Sequence, residues 1–278
     1  MKKEAVSDYY ILNNRLCPVK DMTIFDSIGN NAIYEVIKII DSIPLFFESH
    51  MERLRHSAEL SGFKIKTKDK EIYKNILLLV KENKCDHINV KLVRSVSKSG
   101  TDEIFLIYFI YSEYPGKDVY EHGIHTILFE AERPDPNIKT LKGSFRENVK
   151  DQREASGAYE ALLVDKNGYI SEGSRSNIFF IKHGEIFTSP AEFVLLGVTR
   201  QQVMELCSSM RMRVTERCIH KNELSGIEGA FITGTTVDVL PVSSVGKIQI
   251  PSVFQPQIKK IIDRFNKKVN QYIEKHKS

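Results

Sequence analysis

Two side chains in this sequence have settings suited to chemistry. One is the lysine of Asn137-Ile138-Lys139-Thr140-Leu141, and the other is the acid of Ser171-Glu172-Gly173-Ser174-Arg175-Ser176-Asn177-Ile178-Phe179-Phe180. Each lies against apolar or small residues, which is not the setting of an ordinary solvated charge. Lys139, between Ile138 and Leu141, either snorkels to solvent or is held inside. Held inside, an amine is driven towards its neutral form and becomes a nucleophile able to form a Schiff base with an aldehyde. Glu172 ends a strand pattern one hairpin later, so both side chains can return to one cleft.

A carboxylate in such a place can hold a proton on a heteroaromatic nitrogen. A lysine on an aldehyde and an acid on a pyridinium nitrogen are the two protein groups that pyridoxal phosphate chemistry requires. A phosphate needs donors, and two stretches offer them. Gly197-Val198-Thr199 opens a helical pattern, where free backbone N–H groups and the helix dipole favour an anion. Gly234-Thr235-Thr236 follows an apolar strand and supplies hydroxyls and amides in a turn. Each stretch is also what a plain structural turn looks like. Arg53, on the first helical pattern, adds a positive charge of the kind that otherwise sits on a helix surface.

The elements that must position these groups fall into two regions. Residues 9–12, 33–40 and 45–47 read as strands of an antiparallel meander with turns near 26–31 and at Asp41-Ser42. From Glu48 the period becomes helical, with Met51, Leu54, Ser57, Ala58 and Leu60 on one side until Gly62. A second helix over 68–82 carries Ile72, Ile76, Leu79 and Val80. Strands over 88–96 and 103–111 follow, joined by a turn at 97–102, and alternation puts Asn89, Lys91 and Val93 on one face of the first.

The polar stretch 112–123 with Pro115-Gly116 is the expected boundary, giving residues 1–116 as one domain, 117–123 as linker and 124–278 as the other. Beyond it come a strand over 124–130, a helix over 148–156 and hairpins 159–172 and 177–188. A helix then runs over 195–209, with strands around 214–218, 230–233 and 239–250. A terminal helix over 252–276 has Ile258, Ile261, Ile262, Phe265, Val269, Tyr272 and Ile273 on its apolar stripe.

Composition narrows the rest. The 278 residues are 41% hydrophobic and 27% charged, which suits a globular chain with a real core. Forty Lys and Arg against 36 Asp and Glu are scattered through the chain, which gives no nucleic-acid signature. The basic tail over 259–277 is interrupted by Asp263 and Glu274 and reads as a wet helix face. Cys17, Cys85, Cys207 and Cys218 have no paired metal-ligand spacing and suit reduced cytosolic thiols, so no metal is expected. No apolar secretory core follows the first lysines, and the run 104–111 is far shorter than the roughly 20 residues a bilayer needs. The expectation is a cytoplasmic protein without membrane or nucleic-acid partners.

The motifs taken together, in this order and over about residues 25–242, resemble the class IV (fold type IV) pyridoxal phosphate enzymes. These are the branched-chain aminotransferases, D-amino acid aminotransferases and aminodeoxychorismate lyases. The resemblance implies a two-domain α/β (α+β) protein, with a small N-terminal α/β domain and a larger C-terminal domain built on a β-barrel-like core with helices. It implies pyridoxal 5'-phosphate on the Schiff-base lysine Lys139, with Glu172 at the pyridine nitrogen. Arg53 in Arg53-Leu54-Arg55-His56-Ser57-Ala58, Val198 and Thr199 in Leu196-Gly197-Val198-Thr199-Arg200, and Thr235 in Thr233-Gly234-Thr235-Thr236 take the phosphate. Tyr34 in Ile33-Tyr34-Glu35-Val36, Lys91 and Thr236 face the substrate.

Two departures bear on the substrate. Gly29-Asn30-Asn31-Ala32-Ile33 replaces an aspartate and glycines, and Ser95-Val96-Ser97-Lys98-Ser99-Gly100 lacks the arginine and histidine with which the D-amino acid enzymes hold a carboxylate. Lys91 falls where the branched-chain enzymes carry a carboxylate-binding arginine, although a solvent-facing strand lysine reads the same way. The implied activity is amino transfer between an amino acid and a 2-oxo acid by a homodimer. A lyase releasing pyruvate and a non-catalytic member of the fold are the alternatives.

Overall fold

The computed structural model describes residues 4–29, 31–98, 102–132, 136–140 and 143–277. Asn30, residues 99–101 of the expected turn and Leu141 lie outside the described residues. The chain divides into two compact units. The first is Met1–Glu113 with Ile138–Lys142 and Val269–Ser278, and the second is Tyr114–Asn137 with Gly143–Lys268.

The first unit is a six-stranded antiparallel sheet. Its strands are β1 (Ala5–Leu12), β2 (Arg15–Pro18), β3 (Ile33–Ile40), β4 (Ile43–Pro44), β5 (Ile88–Val96) and β6 (Glu103–Ile110), in the order β2-β1-β6-β5-β3-β4. Strand alternation sorts the side chains. Ile33, Ile37, Ile39, Val90, Leu92, Phe105 and Ile107 form one core with helices α1 (Phe47–Leu60) and α2 (Asp69–Asn83). Tyr34, Val93, Leu106 and Tyr108 face the other way, onto a cluster with Phe25 and Ile28.

Three local expectations change. Residues 45–47 are not a strand, because Phe46 turns left-handed (φ 50°) and Phe47 starts α1 with its ring in the core. Leu60 is 50% exposed, since it lies two residues past Ala58 and therefore on the far side of the helix from the 51–54–58 stripe. The turn near 26–31 is preceded by a 3-10 segment, Val19–Ser27.

The second unit is built on a ten-stranded sheet, the barrel-like core. Its strands are β7 (Ile124–Glu130), β8 (Glu160–Val164), β9 (Tyr169–Gly173), β10 (Asn177–Lys182), β11 (Glu185–Thr188), β12 (Val214–Glu216), β13 (Ile219–His220), β14 (Gly229–Gly234), β15 (Asp238–Val245) and β16 (Ile248–Gln249). Their order is β12-β11-β10-β14-β15-β7-β8-β9-β13, with β16 on β15. Helices α3 (Lys117–His122), α4 (Gly143–Ala155) and α5 (Val198–Ser209) accompany the sheet, and α6 (Pro256–His276) leaves it at Val269. The core joins Leu162, Ile170, Ile178, Phe180, Ile232, Leu240 and Val242, and the register partners Phe179 and Phe231 stack at 4.8 Å.

The stretch expected as linker carries α3, which belongs to the second unit. Helix α4 begins earlier than expected, at Gly143, and α5 begins later, at Val198. The delay in α5 has a cause: Asn177 Nδ2 donates to the Leu195 carbonyl at 2.8 Å and Glu172 accepts from its N–H at 3.2 Å, which holds Leu195 out of the helix. No helix among the described residues is long and apolar enough to cross a membrane.

Candidate active site

In the first unit the site grows from the edge of β3. Strand β4 pairs only with Ile39 and Ile40, leaving the start of β3 free on that side. The lysine segment fills it: Tyr34 N–H donates to the Lys139 carbonyl at 3.0 Å, and Ile33 bridges Thr140. Docked on a strand edge, Lys139 Nζ reaches groups from both faces of the sheet. It lies 4.0 Å from Glu35 Oε1 on the helical side and 5.2 Å from the centre of the Tyr34 ring on the other.

Glu35 is the group that sequence reasoning passed over. It is wholly buried, and one carboxylate gathers donors from several directions. Arg53 of α1 donates Nε to Oε2 at 2.8 Å and Nη2 to Oε1 at 2.5 Å, the two-pronged geometry that suits a guanidinium. His50 Nδ1 lies 3.1 Å from Oε1, and Val36 N–H donates to the same oxygen at 2.8 Å. Burial alone would push the Glu35 carboxyl upward, but Arg53, Lys139 and His50 outweigh it and hold the group well below the usual carboxylate range. Burial depresses the His50 imidazole against the pull of Glu35, so a neutral ring donating from Nδ1 fits the contact. The signal was legible: Glu35 occupies the apolar phase of β3, between Ile33 and Ile37.

Lys91 lies on the other face of β5, opposite Val36 and Tyr108 in register. Its ammonium is buried, 5.0 Å from the centre of the Tyr34 ring and 2.6 Å from Glu4 Oε2. The first unit therefore brings Tyr34, Arg53, Lys91 and Lys139 together, with Glu35, His50 and Glu4 among them.

In the second unit Glu172 is buried near the end of β9, accepting from Leu195 N–H and from Asn177 Nδ2 at 3.4 Å. The loop after it is pinned by Glu160, a buried acid also missed from sequence. Glu160 accepts from Ser174 Oγ at 2.6 Å, Ser176 Oγ at 2.9 Å, and the N–H groups of Ala161 at 2.9 Å and Arg175 at 3.3 Å. Its signal is again an acid at the head of an apolar strand, Glu160-Ala161-Leu162-Leu163-Val164.

Val198 and Thr199, both buried, are the first residues of α5, which packs on β14. Gly197 at the N-cap has no side chain to satisfy the first-turn amides, and a Cβ there would stand 2.2 Å from Asn177 Oδ1. Thr235 and Thr236 form the turn between β14 and β15, and a Cβ on Gly234 would lie 3.6 Å from the Arg175 carbonyl. The second unit thus joins Glu172 to the start of α5 through Asn177 and Leu195, and sets the threonine turn beside the loop that Glu160 pins.

Taken unit by unit, the first offers an amine beside a carboxylate, suited to an aldehyde. The second offers a buried acid, suited to a basic ring nitrogen, and a glycine-capped helix N-terminus with a hydroxyl-rich turn, suited to a phosphate. Comparison with known proteins points the same way. Residues 32–245 match the family Amino-transferase class IV. The branched-chain-amino-acid aminotransferase of Salmonella typhimurium is 28% identical over 239 residues, covering 79% of this chain and 77% of its own. The D-alanine aminotransferase of Bacillus licheniformis is 28% identical over 225 residues, covering 77% and 79%. The crystal structure of Escherichia coli branched-chain amino acid aminotransferase superposes with a TM-score of 0.85 at 24% identity, covering 95% of each chain.

Proposed function

Because the chain belongs to the class IV aminotransferases, pyridoxal phosphate enzymes of fold type IV, we propose specific roles for its residues and a branched-chain type of amino donor. When bound, pyridoxal 5'-phosphate supplies an aldehyde to take the donor's amino group and a ring to take up electrons as the Cα–H bond breaks. The protein does the rest. Lys139 would hold the cofactor through its amine and, once displaced by the donor, take the Cα proton and return it as general base and acid.

The surroundings of Lys139 support this reading. The carboxylate of Glu35, 4.0 Å away, can offset the positive charge as the amine gains a proton. The Tyr34 ring covers the same amine on the other side. Arg53, oriented by its two bonds to Glu35, is assigned to the phosphate together with the Val198 and Thr199 amides and Thr235. Glu172, buried and braced by Leu195 and Asn177, is assigned to keep the ring nitrogen protonated. Tyr34, Lys91 and Thr236 are assigned to the substrate, with Lys91 on its carboxylate. The single observation that carries the branched-chain type is Lys91: a buried ammonium on an aromatic, apolar sheet face suits an amino acid with one carboxylate and an apolar side chain.

The purified protein is expected to be yellow, to be bleached by borohydride, and to lose both properties in Lys139→Ala. Leucine, isoleucine and valine with 2-oxoglutarate should outpace D-alanine; the reverse order would refute the donor assignment. Pyruvate release from aminodeoxychorismate without an acceptor would refute amino transfer as the main reaction. We also infer a cytoplasmic homodimer, consistent with four free cysteines among the described residues, and light scattering that gives a monomer mass would refute the dimer.

A further inference from the structure

We propose that Glu4 is a resident stand-in for the substrate carboxylate: it sits on Lys91 beside Tyr108 and is displaced when a carboxylate substrate binds, so that this N-terminal side chain sets carboxylate affinity. The inference rests on the reading of Lys91 given above.

The Lys91 side chain is 4% exposed, and an ammonium so placed requires an anion. Its anion is Glu4, whose own side chain is 45% exposed. Most of the pair's desolvation therefore falls on the lysine, while the acid remains half in water and can leave. The backbone near Glu4 favours release. Strand β1 pairs with β6 at Ala5–Ile110 and Val6–Phe109, then loses register until Ile11, with Ser7 in the left-handed region at φ 79°. Asn83 of α2 pins the far side of this irregularity by accepting from the Asp8 and Tyr9 N–H groups. Glu4 thus sits at the end of a two-residue stretch of pairing, beyond a fixed point from which it can swing.

A second donor waits at the same place. Tyr108 is the register partner of Lys91 across β5 and β6 and is wholly buried. Its hydroxyl makes no hydrogen bond of good geometry among the described residues. The phenol is pushed above its ordinary range first by burial and then by the Glu4 carboxylate nearby. An amine and a hydroxyl side by side, both next to the Glu4 carboxylate, are a pair of donors that one carboxylate can engage through its two oxygens. The Tyr34 ring, over which both Lys91 and Lys139 lie, marks this point as part of the site and not a remote brace.

The test compares E4Q and E4A with the wild type and with K91Q and K91R, all as holoenzyme. It uses the unreactive carboxylate 4-methylvalerate in isothermal titration and 2-oxo-4-methylvalerate in steady-state kinetics. Removing the internal competitor should tighten 4-methylvalerate and lower KM about fivefold in both Glu4 variants, the size expected for one half-exposed ion pair. K91Q should raise KM about tenfold or more, K91R should recover most of it, and E4Q/K91Q should behave as K91Q. Unchanged or weaker 4-methylvalerate binding in both Glu4 variants, with KM raised in K91Q, would overturn the Glu4 inference and leave the Lys91 assignment standing. An unchanged KM in K91Q would overturn the Lys91 assignment and this inference with it.

Discussion

Removing the Glu35 carboxylate should unfold the first unit at markedly lower temperature, and the size of the loss follows from what it holds. Its side chain is 0% exposed and that of its partner Arg53 is 9%. In Glu35→Ala the guanidinium loses both of its bonds to Glu35 while staying out of water, and breaking a buried pair from one side costs about 3–5 kcal/mol. In a chain of this size each kcal/mol is worth roughly 2–4 °C, so Tm should fall on the order of 10 °C. The cycle with Arg53→Ala separates the pair from the cavity. Losing both partners no longer strands the guanidinium, so the double variant should be less destabilised than the sum of the singles, by on the order of 2 kcal/mol. Calorimetric melts of the four proteins at neutral pH measure this. Additive losses, or a Glu35→Ala protein melting within about 2 °C of the wild type, would refute the claim that Glu35 and Arg53 form one unit.

Acid supplies a second check on the same group. The Glu35 carboxyl is held well below the usual range, so its stabilisation is fully present above its unfolded titration near ~4.3 and is lost as pH falls through the lower folded value. The gap in Tm between wild type and Glu35→Gln should therefore be constant from pH 8 to 5 and narrow only in stronger acid. A gap that closes near pH 6 would implicate His50 instead.

Gly197→Ala places a methyl group 2.2 Å from Asn177 Oδ1, and Asn177 braces both Glu172 and Leu195; cofactor affinity, followed by fluorescence quenching, should weaken about tenfold with the fold intact. Glu223 accepts from Arg217 and Lys182 and is held at about 2, chiefly by the Arg217 hydrogen bond. Its contribution should be present above pH ~4.3 and fade toward pH 2, so Glu223→Gln should flatten the acid limb of the melting curve, modestly because the cluster is largely in water.

Strand periods β3, β5 and β6 were readable because one face of each meets helices and the other meets a second apolar layer, so pattern and burial coincide. The candidate site residues come from the sequence as a set of motifs, and their roles are proposed from it. What the sequence hid were partners brought from far away. Lys91 meets Glu4 across 87 positions, and nothing local to either residue announces it. Glu35 and Glu160 announce themselves only as acids in apolar phase, a signal that names a buried carboxylate without naming what it binds. The start of α5 was misplaced for a related reason: Leu195 and Leu196 have good helix propensity, but two side chains bonded to Leu195 override it.

These distant partners explain how the first unit can keep cationic side chains in its interior before any ligand arrives. Arg53 and Lys139 share Glu35, and Lys91 has Glu4, so the three cations are offset in part by two acids, which differ in kind. Glu35 is locked by Arg53, His50 and the Val36 amide, so it stays when ligands come and go, and it fixes the geometry of Arg53 and the charge felt by Lys139. Glu4 has one strong bond and water on its open side. Replacing it with a substrate carboxylate exchanges one anion for another on the same ammonium, so Lys91 is never stranded and the exchange has little electrostatic cost. A site built this way discriminates through what the incoming molecule does with its apolar part against Tyr34 and Tyr108, since the carboxylate alone only equals what it displaces.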